Sequence, residues 1–219
     1  MPSSDQLSIL FEQDRWIVIN KPSGIPSTGR DLDDPNCAQA LLIARERRMV
    51  WAVHQLDAQT SGVNIFVTRK SKVATAADRL SRGVKHYLAF CHGVPPFRKK
   101  RLESPMGWIP QLRRQGITPQ GKVAISEMTC LDANVDTNAS LLRVSIQTGR
   151  THQIRVHAAS LGLPLLGEGL YATPKCQRHS RHALHAAKIT LRDGTIFSAP
   201  LPEDLRQLAE RLRLRCDIK

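Results

Sequence analysis

The sequence has 219 residues, 41% of them hydrophobic, and 32 Lys and Arg against 19 Asp and Glu, a formal net charge of +13. That length suits one catalytic unit with a substantial core, is short for a multidomain assembly, and contains no apolar run near the roughly 20 residues of a membrane span. The positive balance attracts polyanions, with nucleic acid the first candidate and a merely solvated surface the bland alternative.

At the start of the chain, Met1 to Asp5 lack the basic opening and apolar stretch of a secretory signal, which points to the reducing cytosol. Leu7 to Phe11 and Trp16 to Asn20, joined by a turn at Gln13-Asp14-Arg15, read as a strand pair rich in residues that favour a pleated surface. Lys21-Pro22-Ser23-Gly24 ends it. A short helix is predicted over Cys37 to Arg47, then a polar segment from His54 to Gly62 and a buried strand from Val63 to Thr68. Ser71 to Leu80 reads as a helix capped by Ser71 and ended by Gly83, after which Lys85 to His92 returns to strand. Phe97 to Lys122, rich in Pro, Gly, Arg and Lys, is predicted to be an exposed mobile loop. Ala124 to Leu131 and Leu141 to Thr148 read as antiparallel strands, Ala187 to Leu191 as a further strand, and Pro202 to Leu214 as an amphipathic helix. Many strands with few helices predict an α+β fold around a mixed, largely antiparallel sheet, with residues 1–219 forming one domain.

Two segments carry chemistry. Thr148-Gly149-Arg150-Thr151-His152-Gln153-Ile154-Arg155-Val156-His157 precedes Gly162 and Pro164, so Thr151 can cap a short helix between them. On it Arg155 lies beside an apolar face, where a guanidinium can meet a recessed carboxylate through a fixed fork of donors. His54-Gln55-Leu56-Asp57-Ala58-Gln59-Thr60-Ser61-Gly62 presents one carboxylate among short hydroxyl residues. An Asp with a cationic partner stays ionised and can act as nucleophile or base. Alone, Asp57 in such a turn reads as a cap, Arg155 as a surface residue, Tyr87 as core and Lys21 as part of a strand-ending turn.

These segments, together with Lys21-Pro22-Ser23-Gly24, Lys85-His86-Tyr87-Leu88-Ala89, Leu184-His185-Ala186 and Phe197-Ser198-Ala199-Pro200-Leu201-Pro202, resemble the RluA-type pseudouridine synthases. The resemblance covers nearly the whole chain. It implies the pseudouridine synthase fold with a central active-site cleft, a bare catalytic domain without an N-terminal RNA-binding module, and a monomer acting on ribosomal or transfer RNA. It also implies isomerisation of a flipped-out uridine without cofactor or metal. By the resemblance, Asp57 is the catalytic carboxylate, Tyr87 stacks on the base and assists proton removal, and Arg155 pairs with the aspartate. Ile154 lines the pocket, and Lys21, His54, Gln55, Thr60, Arg150, His152 and Gln153 are expected to bind substrate. Two positions depart from the family: Gln55 stands where relatives carry an arginine that fills the gap left by the flipped base, and Glu168 in Gly167-Glu168-Gly169-Leu170-Tyr171 stands where they commonly carry Asp.

Two rivals remain from other classes: a non-catalytic RNA-binding protein or chaperone on the same scaffold, and a metal-dependent nuclease using the histidines. Against the nuclease, His152 and His157 are five apart and diverge on a helix, while His179, His182 and His185 lack paired Cys or carboxylates. Cys37, Cys91, Cys130, Cys176 and Cys216 are odd in number and form no C-x-x-C pair, so neither a disulfide framework nor a zinc site is expected.

Overall fold

The computed structural model describes residues 7–29, 34–172 and 178–216. Met1–Asp5 and Cys176, on which two of the expectations rest, lie outside them. The strands are β1 (Ser8–Gln13), β2 (Trp16–Lys21), β3 (Trp51–Ala52), β4 (Ser61–Val67), β5 (Val84–His92), β6 (Lys99–Ile109), β7 (Arg114–Ile117), β8 (Lys122–Asn134), β9 (Ala139–Ile146), β10 (Leu184–Thr190) and β11 (Ile196–Ser198). The helices are α1 (Ala38–Glu46), α2 (Val73–Ser81), α3 (Gln153–Ser160) and α4 (Glu203–Leu212). This is a mixed fold with largely antiparallel strand pairing and few helices; among the described residues no helix is long and apolar enough to cross a membrane. The chain divides into two compact units, residues 1–85 with 185–201 and residues 86–184 with 202–219.

In the first unit the strands run in the order β1-β2-β4-β10, with β3 also on β4 and β11 on β10. All of these pairs are antiparallel except β4 with β10. Strand β4 is buried along its whole length, and alternation sends its side chains into two cores. Val63, Ile65 and Val67 join Trp16, Val18, Ala76 and Leu80 on the face covered by α2. Phe66 joins Ile17, Ile19, Leu41 and Leu42 on the face covered by α1. A continuous apolar run such as Trp16–Ile19 is therefore what a strand covered on both sides requires. Helix α1 begins where expected, with Cys37 Sγ accepting from the Ala40 amide at 3.3 Å. The Ser71 cap is corrected: a short 3-10 turn, Lys70–Lys72, leads into α2, and no side chain caps the helix. Lys72 already has helical dihedrals, so the chain enters α2 without the extended residue that a Ser cap needs.

The second unit orders its strands β5-β9-β8-β6-β7. The largest departure from expectation is Phe97–Lys122. It is no loop: β6 pairs with β8 from Lys99↔Thr129 to Met106↔Lys122, and with β7 from Met106↔Ile117 to Ile109↔Arg114. Its charged residues occupy the solvated positions of a strand with little burial, so the apolar alternation that marks strands is nearly absent. Pro105 falls one residue before the β7 ladder begins, in the part of β6 with one partner strand. Helix α4 matches its predicted amphipathic pattern: Leu205, Leu208, Ala209 and Leu212 are buried, and Glu203 and Asp204 sit in the first turn, where carboxylates suit the helix dipole.

Candidate active site

Asp57 lies in the loop between β3 and β4, partly exposed, and opens a turn in which the Thr60 amide donates to its carbonyl at 2.9 Å. The backbone around it is pinned from several sides. The Leu56 amide donates to Ser27 Oγ at 2.8 Å, and the Gly24 amide to the Ala58 carbonyl at 2.9 Å. Lys21 is wholly buried, and its ammonium donates to the carbonyls of Pro22 at 2.8 Å, Ile25 at 2.7 Å and Ala58 at 3.1 Å. Three donors meeting three carbonyls make Lys21 a clamp on the Asp57 loop. Gln55 is exposed and donates to Thr28 Oγ1 at 3.0 Å, while Thr60 is buried.

Behind the loop, Ser61 Oγ lies 3.0 Å from Nδ1 of the buried His185, whose Nε2 lies 3.3 Å from the Ala199 carbonyl. A carbonyl only accepts, so Nε2 carries the proton and Nδ1 accepts from the serine. This bridge gives the late Leu184-His185-Ala186 and Phe197–Pro202 segments a purpose: they brace β4 directly after Asp57. Gly62 completes the fit, since its φ of 114° and its approach to the Ala186 backbone leave no room for a Cβ.

His54 also looks inward. Its Nε2 accepts from the Ile65 amide at 3.2 Å, and its carbonyl accepts from Asn64 Nδ2 at 3.0 Å. Burial, and after it the charge of Lys85, lowers the imidazole pKa to about 3. A free imidazole titrates near 6.5, so between these values the unfolded chain binds the extra proton. The contribution of a neutral His54 is complete above about pH 6.5 and is lost as pH falls toward 3, with a slope of at most about 1.4 kcal/mol per pH unit. His54→Gln, which keeps an acceptor without the titration, is expected to flatten the acid side of the stability profile in urea unfolding between pH 4 and 7. An unchanged slope would show that the ring is not held neutral.

In the second unit, α3 carries the arginine. Thr151 does not cap it: the residue before the helix is His152, at φ 57°, with no side-chain cap. The Gln153 side chain does the pinning, accepting from Thr148 Oγ1 at 2.8 Å and the Arg150 amide at 3.0 Å, and donating to the Ile125 carbonyl and Ser126 Oγ, both at 2.9 Å. All four hydrogen-bonding positions of that amide are occupied within the protein, so Gln153 fixes the start of α3 to β8. Arg150 is exposed, with Nε donating to the Val123 carbonyl at 3.0 Å. Ile154 and Tyr87 are both buried, at 4% and 7% exposure.

Arg155 is 8% exposed, and its fork closes on Glu168, Nε to Oε2 and Nη2 to Oε1, both at 2.8 Å. Burial of Glu168 raises its pKa, but the Arg155 hydrogen bonds and charge, aided by the Leu170 amide, outweigh this and hold it below the ordinary carboxylate value. Gly167, at φ 77° and packed against the Arg181 carbonyl, makes the turn that presents Glu168. Tyr171 follows: the Arg155 guanidinium lies 5.1 Å and the Arg114 guanidinium 5.5 Å from its ring centre, and its hydroxyl is 2.7 Å from His152 Nδ1. Reading the sequence missed Glu168 as the anchor of Arg155 and Tyr171 as the centre of this cluster. The available signal was Gly167-Glu168-Gly169, a lone acid between two glycines a few residues beyond the arginine helix. Among the described residues, no group of three or more His, Cys, Asp or Glu could hold a metal ion.

A family model described as RNA pseudouridylate synthase matches residues 15–160, a span that includes Asp57, Tyr87 and Arg155. "Uncharacterized RNA pseudouridine synthase YhcT" of Bacillus subtilis (strain 168) is 34% identical over 95% of this chain and 73% of its own length. The dual-specificity RNA pseudouridine synthase RluA of Escherichia coli (strain K12) is 31% identical over 87% of this chain and 89% of its own. In fold, the chain is similar to human RNA pseudouridylate synthase domain containing 4, with a TM-score of 0.77 and 22% identity over 95% of this chain and 94% of that one. With a family model spanning both chemistry-bearing segments and relatives at this identity over most of its length, the chain belongs to the RNA pseudouridylate synthases, as an isomerase of the RluA type.

Proposed function

We propose that the chain isomerises uridine in structured ribosomal or transfer RNA to pseudouridine, with Asp57 as the catalytic carboxylate and Tyr87 and Arg155 serving the same uridine. The observation that carries this reading is the Asp57 loop: its backbone is clamped by Lys21, Ser27 and Gly24, while the Asp57 side chain stays partly exposed. A fixed loop that still offers one carboxylate is what attack on an extruded nucleotide requires.

The reaction conserves atoms. On one route the Asp57 carboxylate bonds to C1′ of the ribose and the N1–C1′ bond breaks, its electron pair leaving with the uracil. On the other, Asp57 takes the C2′ proton and a glycal forms as the base departs. In both, the uracil turns over and C5 bonds to C1′; on the first route the C1′–O bond to Asp57 breaks and its electron pair returns to the carboxylate, on the second Asp57 returns the proton to C2′, and the proton lost from C5 balances the one gained at N1. Tyr87 stacks on the base and assists that proton removal, and Ile154 walls the pocket against water. The chemistry asks for no cofactor.

The test is to incubate purified protein with total ribosomal and transfer RNA and map pseudouridine by carbodiimide labelling. New stops at discrete uridines are the expected result. RNA binding without any new stop would favour the non-catalytic RNA-binding reading, and cleaved RNA a nuclease.

A further inference from the structure

The β6–β7 hairpin extends past the core of its unit. Met106 is its last buried large residue, packed with Ala124 on Val156 of α3, and Tyr171 lies against the same cluster. Directly opposite residues of an antiparallel pair point to the same face, and alternate residues share a face. The registers Met106↔Ile117, Met106↔Lys122 and Trp108↔Gln115 therefore place Trp108, Gln115, Ile117 and Lys122 on the face that carries α3 and Tyr171. Trp108 stands two residues beyond Met106, about 7 Å along the strand. It is 57% exposed, and Ile117 beside it is 44% exposed. An indole left in water next to a second exposed apolar side chain marks a contact surface.

The charge of this region selects the partner. From Ser104 to Ser126 the chain has Arg113, Arg114 and Lys122 and no Asp or Glu. Arg150 adds another cation, fastened to the Val123 carbonyl on β8, the strand paired with β6. An aromatic face bordered by cations without an acid fits an unpaired nucleobase with its phosphate, whereas a protein partner of ordinary composition finds no basic counter-ion-paired rim here.

We propose that Trp108 is a stacking platform for an unpaired base of the substrate RNA, with Arg113, Lys122 and Arg150 on its phosphates. The proposal rests on the reading that the chain modifies RNA, and it extends the RNA-binding surface to a hairpin that composition alone suggests is a loop. It also predicts a preference for RNA that carries an unpaired base, because a base in a duplex cannot reach the indole.

Kinetics on a substrate found by pseudouridine mapping test it, with Trp108→Ala and Trp108→Phe compared with the parent chain. Loss of stacking is expected to raise KM and the RNA dissociation constant of Trp108→Ala by about 5- to 100-fold, with kcat changed by less than about 2-fold. Trp108→Phe is expected to recover most of the affinity, and RNA is expected to quench indole emission in the parent chain more than in Trp108→Phe. Thermal unfolding checks that the variants fold, which the exposure of Trp108 favours. Unchanged RNA affinity in Trp108→Ala overturns the proposal while leaving uridine isomerisation standing. So does a loss of self-association in that variant with RNA affinity intact, which would assign the face to a second copy. If the parent chain forms no pseudouridine yet Trp108→Ala still weakens RNA binding, the isomerase reading fails and the platform stands.

Discussion

Asp57→Asn is expected to abolish pseudouridine formation, lowering the single-turnover rate by about 10⁴-fold or more, the scale seen when a nucleophile or its base is removed. The substitution changes one oxygen to nitrogen, so shape is kept while the charge and the lone pairs able to attack C1′ or take a proton are lost. The fold is expected to survive. The turn at this position is closed by the Asp57 carbonyl accepting from the Thr60 amide, and the flanking clamps use the Leu56 amide and the Ala58 carbonyl, so all of them are main-chain contacts that Asn keeps. RNA affinity is expected to stay within about 3-fold of the parent or to improve, since a negative charge facing phosphates is gone. Rapid mixing of excess protein with RNA, followed by pseudouridine quantification, separates the two quantities. Asp57→Glu provides a second arm: it keeps the charge but moves the carboxylate by one methylene, and a displacement near 1 Å is costly where reacting atoms must align. A rate within 10-fold of the parent in Asp57→Asn would remove Asp57 from the chemistry.

The parts of this architecture legible in the sequence are those in which a residue's own neighbours determine its environment. The apolar runs Trp16–Ile19 and Val63–Val67 announce strands covered on both faces, and the spacing of Leu205, Leu208 and Leu212 announces α4. The β6–β7 hairpin was hidden because its ladder is non-local: Arg101 is a strand residue on account of Glu127 across from it, and nothing within ten residues says so. Caps at Ser71 and Thr151 failed for a different reason. The actual starts, a 3-10 turn closed by main-chain bonds before α2 and the Gln153 amide reaching back to the Arg150 amide from inside α3, are local but need no Ser or Thr cap. Among the candidate site residues, type says little about anchoring. Lys21 and Gln153 carry groups that can bind phosphates and bases, and both hold backbone and neighbouring side chains within the protein. Burial sets these contacts, and burial of a polar residue is the property a single sequence conveys least.

Glu168 shows the same point with the largest expected effect on stability. Its carboxylate is fully buried, meets the Arg155 fork through both oxygens, and accepts from the Leu170 amide at 2.9 Å and the Tyr171 amide at 3.3 Å. Removing one partner of a buried pair strands the other, at a cost of roughly 3–5 kcal/mol, so Glu168→Leu is expected to lower the urea stability of the protein by that order. Glu168→Gln keeps an oxygen for the two amides but turns an NH₂ toward the guanidinium, and it is expected to lose most of the same amount. Glu168→Asp keeps the charge and shortens the reach, so it is expected to fall between Gln and the parent. The pH dependence has a definite sign. Because the folded pKa of Glu168 is held below its unfolded value of about 4.3, its contribution is complete above that value and is lost as pH falls through the folded pKa. The gap between parent and Glu168→Gln is therefore expected to be constant from pH 6 to 8 and to close below about pH 4. Through Arg155 the same change reaches activity: a guanidinium released from its fork loses its fixed orientation, so kcat is expected to drop more than RNA affinity. A Glu168→Gln protein as stable as the parent at pH 7, with unaltered kcat, would reduce this buried pair to packing and leave the placement of Arg155 to its other neighbours.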